Sequence, residues 1–449
     1  MYAVWTMVID ADAASRAALV PQDAAPFRIA STQGNYLVTP DGQQILDAAA
    51  GAIVANIGHG RAEVVEAAAR ALQNLTYVVP PFATEERIRL IERLTSSWLP
   101  AGLTRVGFTS GGSESVDAAI RLARTHHLAA GQPGRWKVIG RELSYHGTTF
   151  GALSVGGHAN RRAGFEPLLI DFPKAPSHYC LTCQLGRTTP DCREEAADKL
   201  EKVIVHEGPD TVAAFIAEPV VGGAAGALVP PDTYWPRVRE ICSKYGVLLI
   251  ADEVMSGFGR TGQKFAVDHW GVTPDIMVGG KGLASGYAPM GGVYTTEEVV
   301  APISKAGMDL MFYTFSGHPA SCAAADKVLE IMEREDLVAR SAKMGALLRE
   351  RLAKLDGHPN VAEVRGLGLL QAVELVRDSE TLERFAPEDR IIRKVTAIAL
   401  KKGVFVYGAG SGEVPDVILI GPPFTINEDE IEMIGSVLEE SIDMAVAGR

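Results

Sequence analysis

From about residue 100 onward, short apolar runs rich in β-branched residues alternate with longer amphipathic stretches: TRVGFTS, SESVDAAIRLARTHHLA, WKVIGRE, TVAAFIAEP, TYWPRVREICSKYG, GVLLIADE and DIMVGG. Continuous apolar runs mark strands buried on both faces. The helical period between them supplies the layers that cover those faces, so the pattern predicts an α/β fold with a mostly parallel sheet between helices. Ahead of this region, GNYLVTPDGQQILDAA places two apolar stretches around Pro40-Asp41-Gly42 and predicts a hairpin. After residue 325 a long helical pattern precedes NVAEVRGLGLLQAVEL and DVILIGPP. The two ends are expected to form a smaller α+β unit, residues 1–65 with 329–449, beside a large domain over 66–328. The chain shows no internal repeat, no Gly/Ser linker and no low-complexity tract.

Charge removes some functions from consideration. Among 449 residues, 55 acidic and 43 basic side chains give a net −12, and no Lys/Arg block offers the footprint that a phosphate backbone requires. Nucleic acid is not an expected partner. No uninterrupted apolar stretch reaches membrane-spanning length, and the opening MYAVWTMVIDADAASRAALV carries Asp10 and Asp12 where a secretory leader is apolar, so a cytoplasmic protein is expected. Five cysteines are too few for a disulfide scaffold. Cys180, Cys183 and Cys192 cluster beside His178, but without a second close pair the segment reads as a polar loop, and no metal is expected.

In a parallel sheet, ligands sit beyond the carboxyl ends of the strands, so residues that directly follow apolar runs are the ones to weigh. RVGFT ends in Ser110-Gly111-Gly112 before an amphipathic helix, an arrangement whose unpaired N–H groups suit a phosphate, with Ser110 or Ser113 adding a hydroxyl. VLLIA ends in Asp252, whose buried carboxylate needs a cationic or hydrogen-bonding partner. DIMVGG ends in Lys281, where burial would lower the amine pKa and make it a usable nucleophile. Taken singly, each has a plain explanation as a connector, a helix cap or a solvated charge. Their order along one α/β chain fits a phosphorylated pyridine aldehyde held as a Schiff base, pyridoxal 5′-phosphate: phosphate on the Gly111-Gly112 turn, pyridinium on Asp252, aldehyde carbon on Lys281. Glycines 279, 280 and 282 are expected to keep Cβ atoms clear of the swinging lysine.

The strings FTSGGSESVDAAIRLAR, SYHGTTFGALS, AAFIAEPVVGGAAG, LLIADEVMSGFGRTG, GGKGLASGYAPMGG and YTFSGHPASCAAA resemble, in order and spacing, the class III (ω-) aminotransferases, a branch of the fold-type-I pyridoxal phosphate enzymes. The resemblance runs from about Gly34 to GPPFTINEDEIE. It implies a seven-stranded type of large-domain sheet, catalytic roles for Lys281, Asp252 and Tyr145, and a phosphate held by Ser110, Gly111 and Gly112. It also implies Tyr145 and Val254 on opposite faces of the ring, Glu218 anchoring the Asp252 neighbourhood, His146 in a packing or hydrogen-bonding role, and Thr314 reaching the phosphate of a neighbouring subunit. A homodimer, or a dimer of dimers, follows.

The implied reaction moves an amino group from an amine or ω-amino acid to a keto acid, with Lys281 as the base that relocates the proton. Where related 2-oxoglutarate enzymes tend to read EPIQ followed by a glutamate, this chain has Val220-Val221-Gly222-Gly223, which favours pyruvate as acceptor. Against that, Tyr407 stands where many pyruvate-using members carry a mobile arginine, and no arginine occurs between Arg393 and Arg449. A 2-oxoglutarate-linked diamine or ω-amino acid aminotransferase, a decarboxylating member and an aminomutase would share every cofactor residue. Ile53 and Phe82 fall in segments that line the pocket in relatives, which implies an apolar site, although plain core packing accounts for them equally. Arg260 and Arg365 are expected in structural ion pairs or turns.

Overall fold

The computed structural model describes residues 27–181 and 192–447. Cys183 and the amino-terminal segment with Asp10 and Asp12 lie outside the described residues; His178 and Cys180 are placed, the Cys180 thiol donating to the His178 carbonyl at 3.3 Å. Near the start, β1 (Ser31–Gln33), β2 (Tyr36–Val38) and β3 (Gln44–Asp47) form an antiparallel meander, with the expected turn between β2 and β3.

The central sheet has seven strands: β4 (Leu103–Thr109), β5 (Lys137–Arg141), β6 (Lys174–Ala175), β7 (Val212–Ala217), β8 (Leu248–Asp252), β9 (Ile276–Gly279) and β10 (Gly291–Thr296). Their order is β4-β10-β9-β8-β7-β5-β6, and β10 alone runs against its neighbours. All residues of β7, β8 and β9 are buried, as strands covered on both faces must be. Val116, Ala119 and Leu122 of the helix Gly112–Ala129 pack on one face with Val138, Ile216 and Ile250, while Phe215 and Leu249 pack on the other against Trp235 and Val238 of the helix Tyr234–Tyr245.

The carboxyl-terminal part adds β11 (Val361–Leu367), β12 (Leu370–Leu375), β13 (Val404–Phe405), β14 (Tyr407–Ser411) and β15 (Val414–Ile420), four of which form the antiparallel sheet β11-β12-β15-β14. Strand β13 instead pairs in parallel with β3, Val404 opposite Leu46, so the two ends of the chain share a sheet. Two buried charges tie these parts to the central sheet. Arg260 donates to the Leu369 and Pro422 carbonyls at 3.0 and 2.6 Å and to Asn56 Oδ1 at 2.6 Å. Glu374 accepts from the Tyr179 hydroxyl and from Arg384, each at 2.6 Å, and from Arg365. Arg260 and Arg365 thus hold structural positions, as expected from the sequence. Among the described residues no helix is long and apolar enough to cross a membrane.

Candidate active site

Five parallel strands deliver their carboxyl ends to one side of the sheet: β4 ends at Ser110, β5 leads to Tyr145 and His146, β7 to Glu218, β8 to Asp252, and β9 to Lys281. The β4 turn is tied down on its inner side. Thr109 Oγ1 and Ser115 Oγ lie 2.7 Å apart, Ser115 also donates to the Gly279 carbonyl at 3.3 Å, and the Ser110 amide donates to Glu114 Oε2 at 2.8 Å. Its outer side is open. A Cβ added to Gly111 would meet nothing within 4 Å, whereas one on Gly112 would come within 2.7 Å of Val254 Cγ1. A helix N-terminus presenting amides to open space beside glycine is a cradle for an anion. Ser113 is partly committed, since its Oγ accepts from the Thr148 amide at 3.1 Å and so links the cradle to the SYHG loop.

Asp252 is buried and held from two directions: His146 Nδ1 lies 2.7 Å from Oδ2, and the Val254 amide donates to Oδ1 at 3.1 Å. His146 Nε2 is buried and has no hydrogen-bond partner among the described residues. Beside this pair, Glu218 accepts from the amides of Tyr145 at 3.3 Å and Gly222 at 3.4 Å, and burial pushes its carboxyl up to about 7, the Asp252 charge adding to the shift. Arg141, fully buried, donates to the Glu218 carbonyl at 2.8 Å.

Lys281 follows an extended Gly280 and adopts a φ of 39°, the left-handed region that a side-chain-bearing residue enters only when its surroundings force it. The Ser285 amide, bonded to the Lys281 carbonyl at 2.9 Å, fixes that turn. Burial pushes the amine down to about 8; Asp252 and Glu218 oppose the shift, and the positive charges of Arg260 and Arg161 assist it.

The flanking glycines have another cause than the one expected. A Cβ on Gly279 would stand 3.0 Å from Phe258 and Tyr294, and one on Gly282 would collide with the Asn56 amide, so both are glycine because of close packing behind the lysine. Only Gly280 faces the cradle, where an added Cβ would stand 3.4 Å from Val254 Cγ1 and 3.5 Å from the Gly112 nitrogen.

A phosphorylated pyridine fits this arrangement. The open cradle at Gly111 suits the phosphate, the buried Asp252 backed by a histidine suits a protonated ring nitrogen, and the amine stands on the neighbouring strand end. Ser110, Gly111, Gly112, Tyr145, His146, Glu218, Asp252, Val254 and Lys281 converge through these contacts. Thr314 does not join them within one chain: it is exposed, although the adjacent Tyr313 hydroxyl donates to the Glu114 carbonyl at 3.1 Å. Ile53 is 1% exposed and packs in one apolar cluster with Val221, Tyr145, Met255 and Tyr407; Phe82 is 66% exposed on the surface. Arg161, which was not singled out in the sequence, stands over the Tyr145 ring at 4.6 Å from its centroid. The paired arginines of HANRRAG, shortly after SYHG, were the available signal.

Comparison with known proteins gives a consistent picture. The family model described as aminotransferase class-III matches residues 19–442. Similar curated proteins include putrescine–pyruvate aminotransferase of Pseudomonas aeruginosa, 37% identical and covering 93% of this chain and 91% of that one. Another is diaminobutyrate–2-oxoglutarate transaminase of Halomonas elongata, 35% identical over 93% of this chain and 91% of that one. Among solved structures, a thermostable (S)-enantioselective ω-transaminase from Thermomicrobium roseum superposes with a TM-score of 0.89 at 38% identity, covering 94% of this chain and 93% of that one.

Proposed function

Because the chain belongs to the class III aminotransferases, which are pyridoxal 5′-phosphate enzymes, we propose that it transfers an amino group from an amine or ω-amino acid to pyruvate or a similar keto acid. The observation that carries this reading is the convergence of the Gly111-Gly112 cradle, the Asp252–His146 pair and a buried Lys281 at adjacent strand ends.

When bound, pyridoxal phosphate supplies an electrophilic aldehyde and a ring that takes up the electron pair left on the substrate carbon as its proton departs. The Gly111 and Gly112 amides with the Ser110 hydroxyl would hold the phosphate, and Tyr145 and Val254 would confine the ring. Asp252, oriented by the Val254 amide and by His146, would be the residue that holds a proton on the ring nitrogen. Lys281, its amine pushed down to about 8, would hold the cofactor's aldehyde carbon and would be the base that takes a proton from the substrate carbon and returns it one position away. The strained turn at Lys281 fixes the origin of that reach.

After Glu218-Pro219 the chain reads Val220-Val221-Gly222-Gly223, apolar or without a side chain, which supports the amine or ω-amino acid:pyruvate reading. An apolar cleft of about 830 Å³ lies elsewhere, between the β4 edge and the segment that carries Phe312 and Tyr313. Together with exposed Phe82, Met311 and Phe315 it forms the face on which a second copy would seat, bringing Thr314 toward that copy's cradle. A panel of amine donors, run against pyruvate and 2-oxoglutarate in competition and read by carbonyl and amino acid products, tests the assignment. Preferential alanine formation supports it; faster glutamate formation across the panel replaces pyruvate with 2-oxoglutarate, and carbon dioxide release replaces transamination with decarboxylation.

A further inference from the structure

Behind the phosphate cradle, on the side away from the open space, four elements meet at two hydroxyls. Thr109 ends β4, Ser115 lies near the start of the helix Gly112–Ala129, Gly279 ends β9 and Gly291 begins β10. Thr109 is 3% exposed and Ser115 fully buried, so both hydroxyls must find their partners within the protein. A Cβ on Gly291 would collide with both side-chain oxygens and with the Gly111 carbonyl, so glycine at that position makes room for the pair.

The Gly111 carbonyl lies within reach of three donors: the Ser115 amide at 3.0 Å, the Thr109 hydroxyl at 3.1 Å and the Ser115 hydroxyl at 3.2 Å. In a trans peptide the carbonyl and the following N–H point in opposite directions, so an inward Gly111 carbonyl aims the Gly112 N–H at the cradle. A serine that only back-bonds one turn up its own helix would stop there. Ser115 Oγ also reaches the Gly279 carbonyl at 3.3 Å, 164 positions away, and the peptide to which that carbonyl belongs supplies the Gly280 N–H, directly before Lys281. Each hydroxyl carries one proton. With the two oxygens 2.7 Å apart, one proton lies between them and the other is left for the carbonyls of Gly111 and Gly279, so the cradle and the lysine strand draw on one hydrogen-bond network.

Resting on the cofactor reading above, we propose that Thr109 and Ser115 are positioning residues that fix the spacing between the phosphate cradle and Lys281. Phosphate and aldehyde are carried by one rigid ring, so the protein groups that receive them must keep one separation. The hydroxyl pair secures it from behind. Thr109 sets the cradle peptide, and Ser115 joins that peptide to the one that leads into the lysine.

The test compares pyridoxal 5′-phosphate with pyridoxal, which lacks the phosphate, as ligands of the full-length apo-protein, each affinity taken from the concentration dependence of borohydride-trapped attachment at Lys281. Wild-type protein should favour the phosphorylated compound, and Thr109→Val and Ser115→Ala should each lower the ratio of the two affinities by ~10-fold. Thr109→Ser, which keeps the hydroxyl, should stay within ~2-fold of wild type, and the double variant Thr109→Val/Ser115→Ala should lose little more than the worse single one, because both side chains act on one network. An unchanged ratio in either single variant overturns the assignment. So does a loss of the same size in Thr109→Ser, which would make the position sensitive to packing instead of to its hydroxyl. Thr109→Val keeps the shape of the side chain and decides the question if Ser115→Ala does not fold. Wild-type protein that captures both compounds equally removes the cradle and with it the positioning role, leaving Lys281 as the attachment point; capture of neither removes the cofactor reading itself.

Discussion

Two regions around the candidate site are built by different means. The wall formed by the ends of β5, β7, β8 and β9 is polar and tightly constrained: Asp252 has two partners, Glu218 has two amide donors, and the Lys281 backbone is held in a left-handed turn. The neighbouring apolar cluster of Ile53, Val221 and Tyr407, which Tyr145 joins, comes from segments far apart in sequence, with Arg161 beside Tyr145. Rigid strand ends suit a group that never changes, and a wall assembled from loops and the smaller sheets can vary its substrate without disturbing the first.

The sharpest way to break this contrast is Lys281→Ala. The variant should lose at least ~10³-fold in turnover, and borohydride should no longer fix the cofactor to the peptide that contains position 281; covalent capture elsewhere in the chain would place the reacting amine on a different wall. Next in size is the difference between the two carboxylates. Asp252→Asn should keep the cofactor yet lose ~10²-fold or more in turnover. Glu218→Gln should cost less than ~10-fold, because a carboxyl pushed up to about 7 already spends much of its time in the neutral form that glutamine mimics. Equal losses in the two variants would dissolve the distinction between ring partner and anchor.

The smallest effect is one of pH. Burial disfavours the Lys281 ammonium, so the neutral amine appears at lower pH than in an exposed lysine. Capture of pyridoxal phosphate by the apo-protein, trapped by borohydride after short mixing, should therefore climb with pH and level off above about 8. A rate that kept climbing toward ~10.4, the value of an unperturbed lysine, would mean that the amine is solvated in the folded protein.

Much of the fold was legible because it is periodic. Fully apolar runs such as VLLIA and AAFIA could be strands only with helices on both faces, and β8 and β7 are buried from end to end. The hairpin at Pro40-Asp41-Gly42 was legible from turn chemistry, and Asp252 and Lys281 from their places directly after apolar runs. Other features depended on distance in space. Glycine at 279 and 282 invited a story about the lysine, but the atoms that demand it belong to Phe258, Tyr294 and Asn56. Ile53 and Phe82, alike in chemistry and both assigned to the pocket by resemblance, end up packed in a core cluster and exposed at the surface.

What the sequence determined by itself was the order of strands and helices, the chemical character of each strand end, and through them the family and its cofactor. Local hydrophobic period and turn residues act over a few positions, so one dimension contains them. What only the tertiary structure decided was which strand ends are neighbours, how far burial shifts Lys281 and Glu218, and which of the two arginines in HANRRAG faces Tyr145. Those depend on desolvation and on contacts between residues up to hundreds of positions apart, quantities that exist only once the chain has closed around them.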